Sequence, residues 1–186
     1  MKHLSATLLA LFLSPCVLAD LPKVALETSQ GLMVLELNPD KAPKTVENFL
    51  RYVRSGHYDG TIFHRVIAGF MIQGGGYDQD LKQRDTRAPI ANEADNGLLN
   101  ERGAISMART GDPHSATAQF FINHRTNPFL DHRGKSPRGW GYTVFGRLIE
   151  GEEVLDAIAR SPVGRQGPLN DVPKQPITIL EAKVLP

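Results

Sequence analysis

Tyr58-Asp59-Gly60-Thr61-Ile62-Phe63-His64-Arg65-Val66-Ile67-Ala68-Gly69-Phe70-Met71-Ile72-Gln73-Gly74-Gly75-Gly76 is the densest part of the chain, with Arg65 and Gln73 set among aromatic and aliphatic residues. Ile62 to Ile67 and Phe70 to Ile72 read as two short strands bounded by glycine. Strict alternation puts Phe63 and Arg65 on one face and His64 and Val66 on the other. Gly74-Gly75-Gly76 lacks both the Lys-Ser/Thr of a phosphate-binding loop and GxGxxG spacing, and reads as a flexible strand exit.

Outward from this stretch the pattern repeats. Ile105 to Ala108, Phe120 to Ile122 and Val144 to Ile149 are further short apolar runs bounded by Gly, Asp, Asn or Pro, the spacing of a sheet sandwich or closed barrel. Val24 to Thr28 and Leu32 to Leu37 flank the turn cluster Ser29-Gln30-Gly31 and predict a hairpin; Ile177 to Val184 closes the chain as a β-rich run. Two segments have helical period instead. Val46, Phe49, Leu50 and Val53 follow Pro43 and precede Gly56, a helix start and stop; Val154, Leu155 and Ile158 share one face of Glu152 to Arg160. Gly74 to Leu99 and Pro162 to Pro176 are polar and predict long surface loops. No repeat and no second domain interrupt residues 20–186.

At 186 residues, 41% hydrophobic and 22% charged, the chain has globular composition rather than that of a disordered or fibrous protein. Its N-terminus stands apart: Lys2, the apolar run Leu4 to Leu13 and Val17-Leu18-Ala19 before Asp20 form the pattern of a cleaved secretory signal over residues 1–19. The run is shorter than the roughly 18 residues of a spanning helix and Pro15 interrupts its continuation, so no stable membrane anchor is expected. Cleavage would leave 20 basic and 20 acidic residues, and that neutral balance argues against nucleic acid as a partner. It would also remove Cys16, the sole cysteine, and with it any disulfide or Cys-ligated metal. Leu13-Ser14-Pro15-Cys16 resembles a lipoprotein box, with proline before the cysteine a poor fit. Among the six histidines, His64, His114, His124 and His132 have no paired metal-ligand spacing, and no G-x-S-x-G elbow is present. No metal or cofactor is expected.

Residues 58–76 resemble the signature of the cyclophilin-type peptidyl-prolyl isomerases, and the likeness continues through Ser106-Met107-Ala108, Gln119-Phe120-Phe121-Ile122 and Val144-Phe145-Gly146. Together with the signal, the ending Ala182-Lys183-Val184-Leu185-Pro186 resembles the bacterial periplasmic members. The resemblance implies a mainly β fold, a closed eight-stranded antiparallel barrel capped by two α-helices, and an isomerase of X-Pro bonds that assists folding of exported proteins. It places Arg65 as the catalytic group and Phe70, Met71, Gln73, Ala108, Arg109, Gln119, Phe121, Phe129, Leu130 and Tyr142 as substrate-binding positions. Arg109 stands where many relatives have asparagine, at a position implied to contact substrate through its backbone. Phe129 and Tyr142 stand where well-known eukaryotic members have tryptophan and histidine, and Arg133 to Gly141 is longer than their corresponding loop. Without the indole N–H, weaker cyclosporin binding is implied, with activity retained.

The residue types suit that reaction. Amide resonance sets a barrier of about 18–20 kcal/mol, no bond breaks, and a guanidinium donating toward the prolyl nitrogen favours the twisted state. A proline-peptide-binding chaperone or scaffold module without turnover is the alternative from another class. Expected partners are proline-containing polypeptides met by a monomer, since no regular apolar face marks an obligate interface.

Overall fold

The computed structural model describes residues 20–186; the expected signal and Cys16 lie outside the described residues. Strands β1 (Lys23–Thr28) and β2 (Gly31–Leu37) form the expected hairpin, followed by helix α1 (Pro43–Arg54), β3 (Thr61–Ile67), β4 (Met71–Asp78), β5 (Ala104–Met107), β6 (Phe120–Asn123), β7 (Val144–Glu150), helix α2 (Glu152–Ala159), β8 (Val163–Gln166), β9 (Leu169–Pro173) and β10 (Ile179–Val184). Eight strands form one antiparallel sheet in the order β10-β1-β2-β7-β5-β6-β4-β3. It curls until Phe63 N–H donates to the Ile177 carbonyl at 2.9 Å and Gly60 N–H to that of Ile179 at 2.8 Å, closing β3 against the entry to β10. The barrel interior is packed with Val24, Leu26, Leu35, Ile105, Ile122 and Ile179, each buried, so any site must lie on its outer wall.

Helix α1 turns its buried face, Val46, Phe49, Leu50 and Val53, into this core. Phe49 meets Tyr58, Phe120 and Phe145 at ring distances of 5.2, 5.6 and 5.2 Å. Pro43 starts the helix without a side-chain cap of its own. The orphan amides are instead taken by Glu93, whose carboxylate accepts from Lys44 N–H, Thr45 N–H and the Thr45 hydroxyl at 3.2, 2.9 and 2.7 Å. Gly56, at φ +66°, lies just beyond the end of α1, as expected. Helix α2 contributes Leu155 and Ile158 to the same core.

Three expectations need correction. First, Phe63 and Arg65 do not share a face. Phe63 pairs with Gly74 and Arg65 with Gln73, so one extra residue in β3 forms a bulge at His64. Phe63 and Val66 then both enter the core while Arg65 is exposed on the outer wall. Second, the triple glycine is no strand exit but the middle of β4, where large side chains press on bare backbone. A Cβ on Gly74 would lie 3.0 Å from Phe63, and one on Gly75 2.7 Å from Tyr58. Third, the polar segment 162–176 is not simply a loop: β8 and β9 pair across Gly167-Pro168. Few of their side chains are buried, Val172 and Pro173 being the exceptions, so no apolar alternation announces them.

Candidate active site

The ladder places the candidate residues. Arg65 on β3 faces Gln73 on β4, and Gln73 faces Phe121 on β6, so a cation, an amide and an aromatic ring stand in one row across three strands. Alternation on β6 sends Phe120 into the barrel and Phe121 outward. Met71, Phe121 and Leu130 form a small buried apolar cluster apart from the core, edged by Phe70, Ala108 and Tyr142. These six residues with Arg65, Gln73 and Arg109 line a cavity of about 100 Å³.

Two sequence candidates lie outside that cavity. Phe129 is 56% exposed beside it and stacks on Phe70 at 5.6 Å. Gln119 lines an adjoining groove, bounded by Pro168 to Asp171 of the β8–β9 hairpin, and reaches the site by accepting from the Gln73 amide at 3.0 Å. The Arg109 side chain also builds part of the site. Its Nε donates to the Gly141 carbonyl at 2.9 Å and its guanidinium lies 4.6 Å from the Tyr142 ring centre, while that ring meets Phe121 at 5.6 Å. Arg109, Tyr142 and Phe121 thus form a layered wall. The backbone N–H and carbonyl of Arg109 make no hydrogen bond among the described residues, leaving an open edge for an extended chain. The Arg65 guanidinium likewise has no partner among the described residues and stands at the mouth of an apolar pocket.

Supporting residues were missed from sequence. Beneath the pocket, Asn127 donates through its amide to Asn123 at 2.8 Å, Asn123 to the Ala104 carbonyl at 3.1 Å, and Asn100 to Asp131 at 3.0 Å. This buried lattice holds the turn that presents Leu130. Its one local signal is Asn127-Pro128, a turn dipeptide. Gly76 was missed too: a Cβ there would lie 2.5–2.6 Å from the Gln119 side chain, so bare backbone is what lets Gln119 lie flat and meet Gln73. Gly76→Ala is therefore expected to displace Gln119 and cut kcat/KM by about three- to ten-fold, the worth of roughly one hydrogen bond. Wild-type kinetics in that variant would refute it.

His64, left outward by the bulge, is only 4% exposed, lies 4.7 Å from the Tyr77 ring, and its Nδ1 has no hydrogen-bond partner among the described residues. Burial pushes its imidazole down to about 4. Because the unfolded chain takes the proton near the ordinary value of 6.5, the folded state is penalised as pH falls from 6.5 toward 4, and loses on the order of 3 kcal/mol by the bottom of that window. Urea midpoints at pH 7 and pH 4.5 should fall less in His64→Gln than in wild type; equal falls would contradict this.

Residues 23–184 match the model of the family described as cyclophilin type peptidyl-prolyl cis-trans isomerase/CLD. The chain belongs to that family. It is 63% identical over 162 residues to a peptidyl-prolyl cis-trans isomerase of Streptomyces antibioticus, covering 87% of this chain and 98% of the relative. It is 54% identical over 156 residues to peptidyl-prolyl cis-trans isomerase B of Escherichia coli strain K12, covering 84% and 95%. Among solved structures, a cyclophilin type peptidyl-prolyl cis-trans isomerase of Cryptosporidium parvum superposes with a TM-score of 0.73 at 30% identity, covering 89% of this chain and 98% of that one. This cyclophilin is thus a peptidyl-prolyl cis-trans isomerase that binds proline-containing peptides, and its mainly β barrel with two helices is the fold the resemblance implied.

Proposed function

We propose that the outer-wall pocket is where isomerisation takes place, with Arg65 as the polarising group, and that the substrates are exported polypeptides. The unpartnered Arg65 guanidinium beside the buried Met71-Phe121-Leu130 floor is the observation that carries this reading. The apolar floor takes the proline ring, the open edge at Arg109 and the Gln73 amide engage the flanking peptide, and Arg65 donates toward the prolyl nitrogen. Drawing on that lone pair weakens amide resonance and favours the twisted state. The apolar surroundings exclude water and strengthen the donation, and also disfavour the more polar planar amide. No nucleophile or cofactor is required.

Export rests on the signal pattern of residues 1–19, and the periplasm is the proposed location. A crystal structure of the Cryptosporidium parvum relative was obtained in the presence of the dipeptide Ala-Pro, which makes Ala-Pro the natural probe of a proline site here. The test is the rate of cis-to-trans conversion of a short X-Pro peptide, with and without an excess of Ala-Pro. Acceleration that Ala-Pro suppresses, but not in a Phe121→Ala variant, supports the pocket; acceleration unaffected by Phe121→Ala counts against it. Phe129 has no N–H to offer at the pocket rim. Cyclosporin inhibition is accordingly expected to be weak, and nanomolar inhibition in the same assay would contradict that expectation.

A further inference from the structure

Behind the turn that carries Phe70 lies a chain of polar contacts that the reaction described above does not use. Gly69 N–H, in the β3–β4 turn, donates to Nδ1 of His124 at 2.9 Å. The same ring presents Nε2 to Oδ1 of Asp156 on α2 at 3.0 Å. Arg102 donates to that oxygen at 2.8 Å and to the His124 carbonyl at 2.7 Å. The backbone completes the hold: the Phe70 carbonyl accepts from His124 N–H and from the Asn127 amide, each at 3.0 Å.

These contacts select one form of the imidazole. An amide N–H only donates, so the nitrogen facing Gly69 carries a lone pair, and the neutral ring keeps its proton on Nε2, aimed at the carboxylate. The hydrogen bond from Arg102 holds the Asp156 carboxyl below its ordinary value, with His124 adding to the effect, so an ionised acceptor faces that proton. The His124 side chain is 18% exposed, which leaves little room for water to replace either partner.

We propose that His124, locked in its Nε2–H tautomer by Asp156, is a positioning residue that holds the Gly69–Phe70 turn and so sets the Phe70 wall of the proline pocket. Arg65 and Gln73 face each other directly on the β3–β4 ladder and do not depend on that turn. Loosening the turn should therefore weaken the grip on the proline ring and spare the polarising step. The effect belongs in KM rather than kcat.

The experiment compares peptide isomerisation by wild type, His124→Ala and His124→Asn, alongside ¹⁵N NMR of the wild-type imidazoles. His124→Ala is expected to raise KM by about three- to ten-fold, the worth of roughly one hydrogen bond, with kcat within about two-fold. Asparagine places its carbonyl oxygen near the site of Nδ1, so His124→Asn should bring KM back to within about two-fold of wild type. The wild-type spectrum should show Nδ1 bare and Nε2 protonated. A proton on Nδ1, an unchanged KM in His124→Ala, a fall confined to kcat, or an asparagine variant as impaired as alanine would each overturn the proposal. Should His124→Ala not fold, Asp156→Ala replaces it, with mixed tautomers and a smaller rise in KM expected; a ring still purely Nε2–H with wild-type KM would overturn it. A wild-type protein without isomerase activity would instead strike the isomerase reading, and the ring spectrum would still report on the lock.

Discussion

Arg65→Ala is expected to lower both kcat and kcat/KM for an X-Pro peptide by roughly ten- to a hundred-fold while leaving KM near wild type. A hydrogen bond from a charged donor is worth about 1.5–3 kcal/mol net, and each 1.36 kcal/mol is about one decade of rate. The bond forms fully only as the prolyl nitrogen leaves conjugation, so its loss falls on the transition state and not on binding. Arg65 is exposed and makes no ion pair or hydrogen bond among the described residues, so its removal should shift stability by no more than about 0.5 kcal/mol. Arg65→Lys should recover little, because an ammonium on a flexible stem lacks the planar fork that aims the donation. Steady-state kinetics beside urea unfolding would decide it, and wild-type kcat in a folded Arg65→Ala protein would end the polarisation mechanism. The rest of the acceleration would come from the pocket, which is why loss is expected to be partial rather than complete.

Phe49→Ala is expected to cost about 3–5 kcal/mol of unfolding free energy, the usual range for deleting a buried phenylalanine. Phe49 is fully buried, and its ring touches Tyr58, Phe120 and Phe145, residues from the loop after α1 and from two different barrel strands. Neighbours fixed in a closed barrel cannot easily collapse into the gap, so the cavity cost adds to the lost transfer free energy. Against a total of about 5–15 kcal/mol for an ordinary domain, that is about a fifth of the stability or more. The pocket floor is a separate cluster on the far side of β6, so isomerase activity of the folded fraction should stay within about two-fold. A drop in urea midpoint equivalent to less than about 1 kcal/mol would contradict this.

Much of this was legible in linear order because it depends on local rules. Short apolar runs between turn residues yield strands, and Pro43 and Gly56 bracket a helix because one fits a first helical turn and the other adopts a positive φ at its end. Four separated motifs carried the family resemblance and with it the site residues. Local rules failed where distant side chains take over. Alternation put Arg65 with Phe63 because nothing nearby signals the bulge at His64. The triple glycine looked like a flexible exit because the rings of Tyr58, Phe63 and Phe120 that crowd it are contributed by other segments.

The type and order of the two helices and the eight barrel strands, the absence of a thiol from residues 20–186 and the chemistry available at Arg65 all follow from residues read one after another, because propensity, turn formation and ionisable groups are properties of short segments; the β8–β9 hairpin does not. Three features came only with the closed barrel: Glu93 capping a helix 48 residues away in sequence, Gln119 lying against the bare backbone of Gly76, and His124 held between Gly69 and Asp156. Each joins groups whose separation along the chain bears no relation to their separation in space. Burial then decides which of them must be satisfied, since an unpaired polar group is costly only once water has been removed.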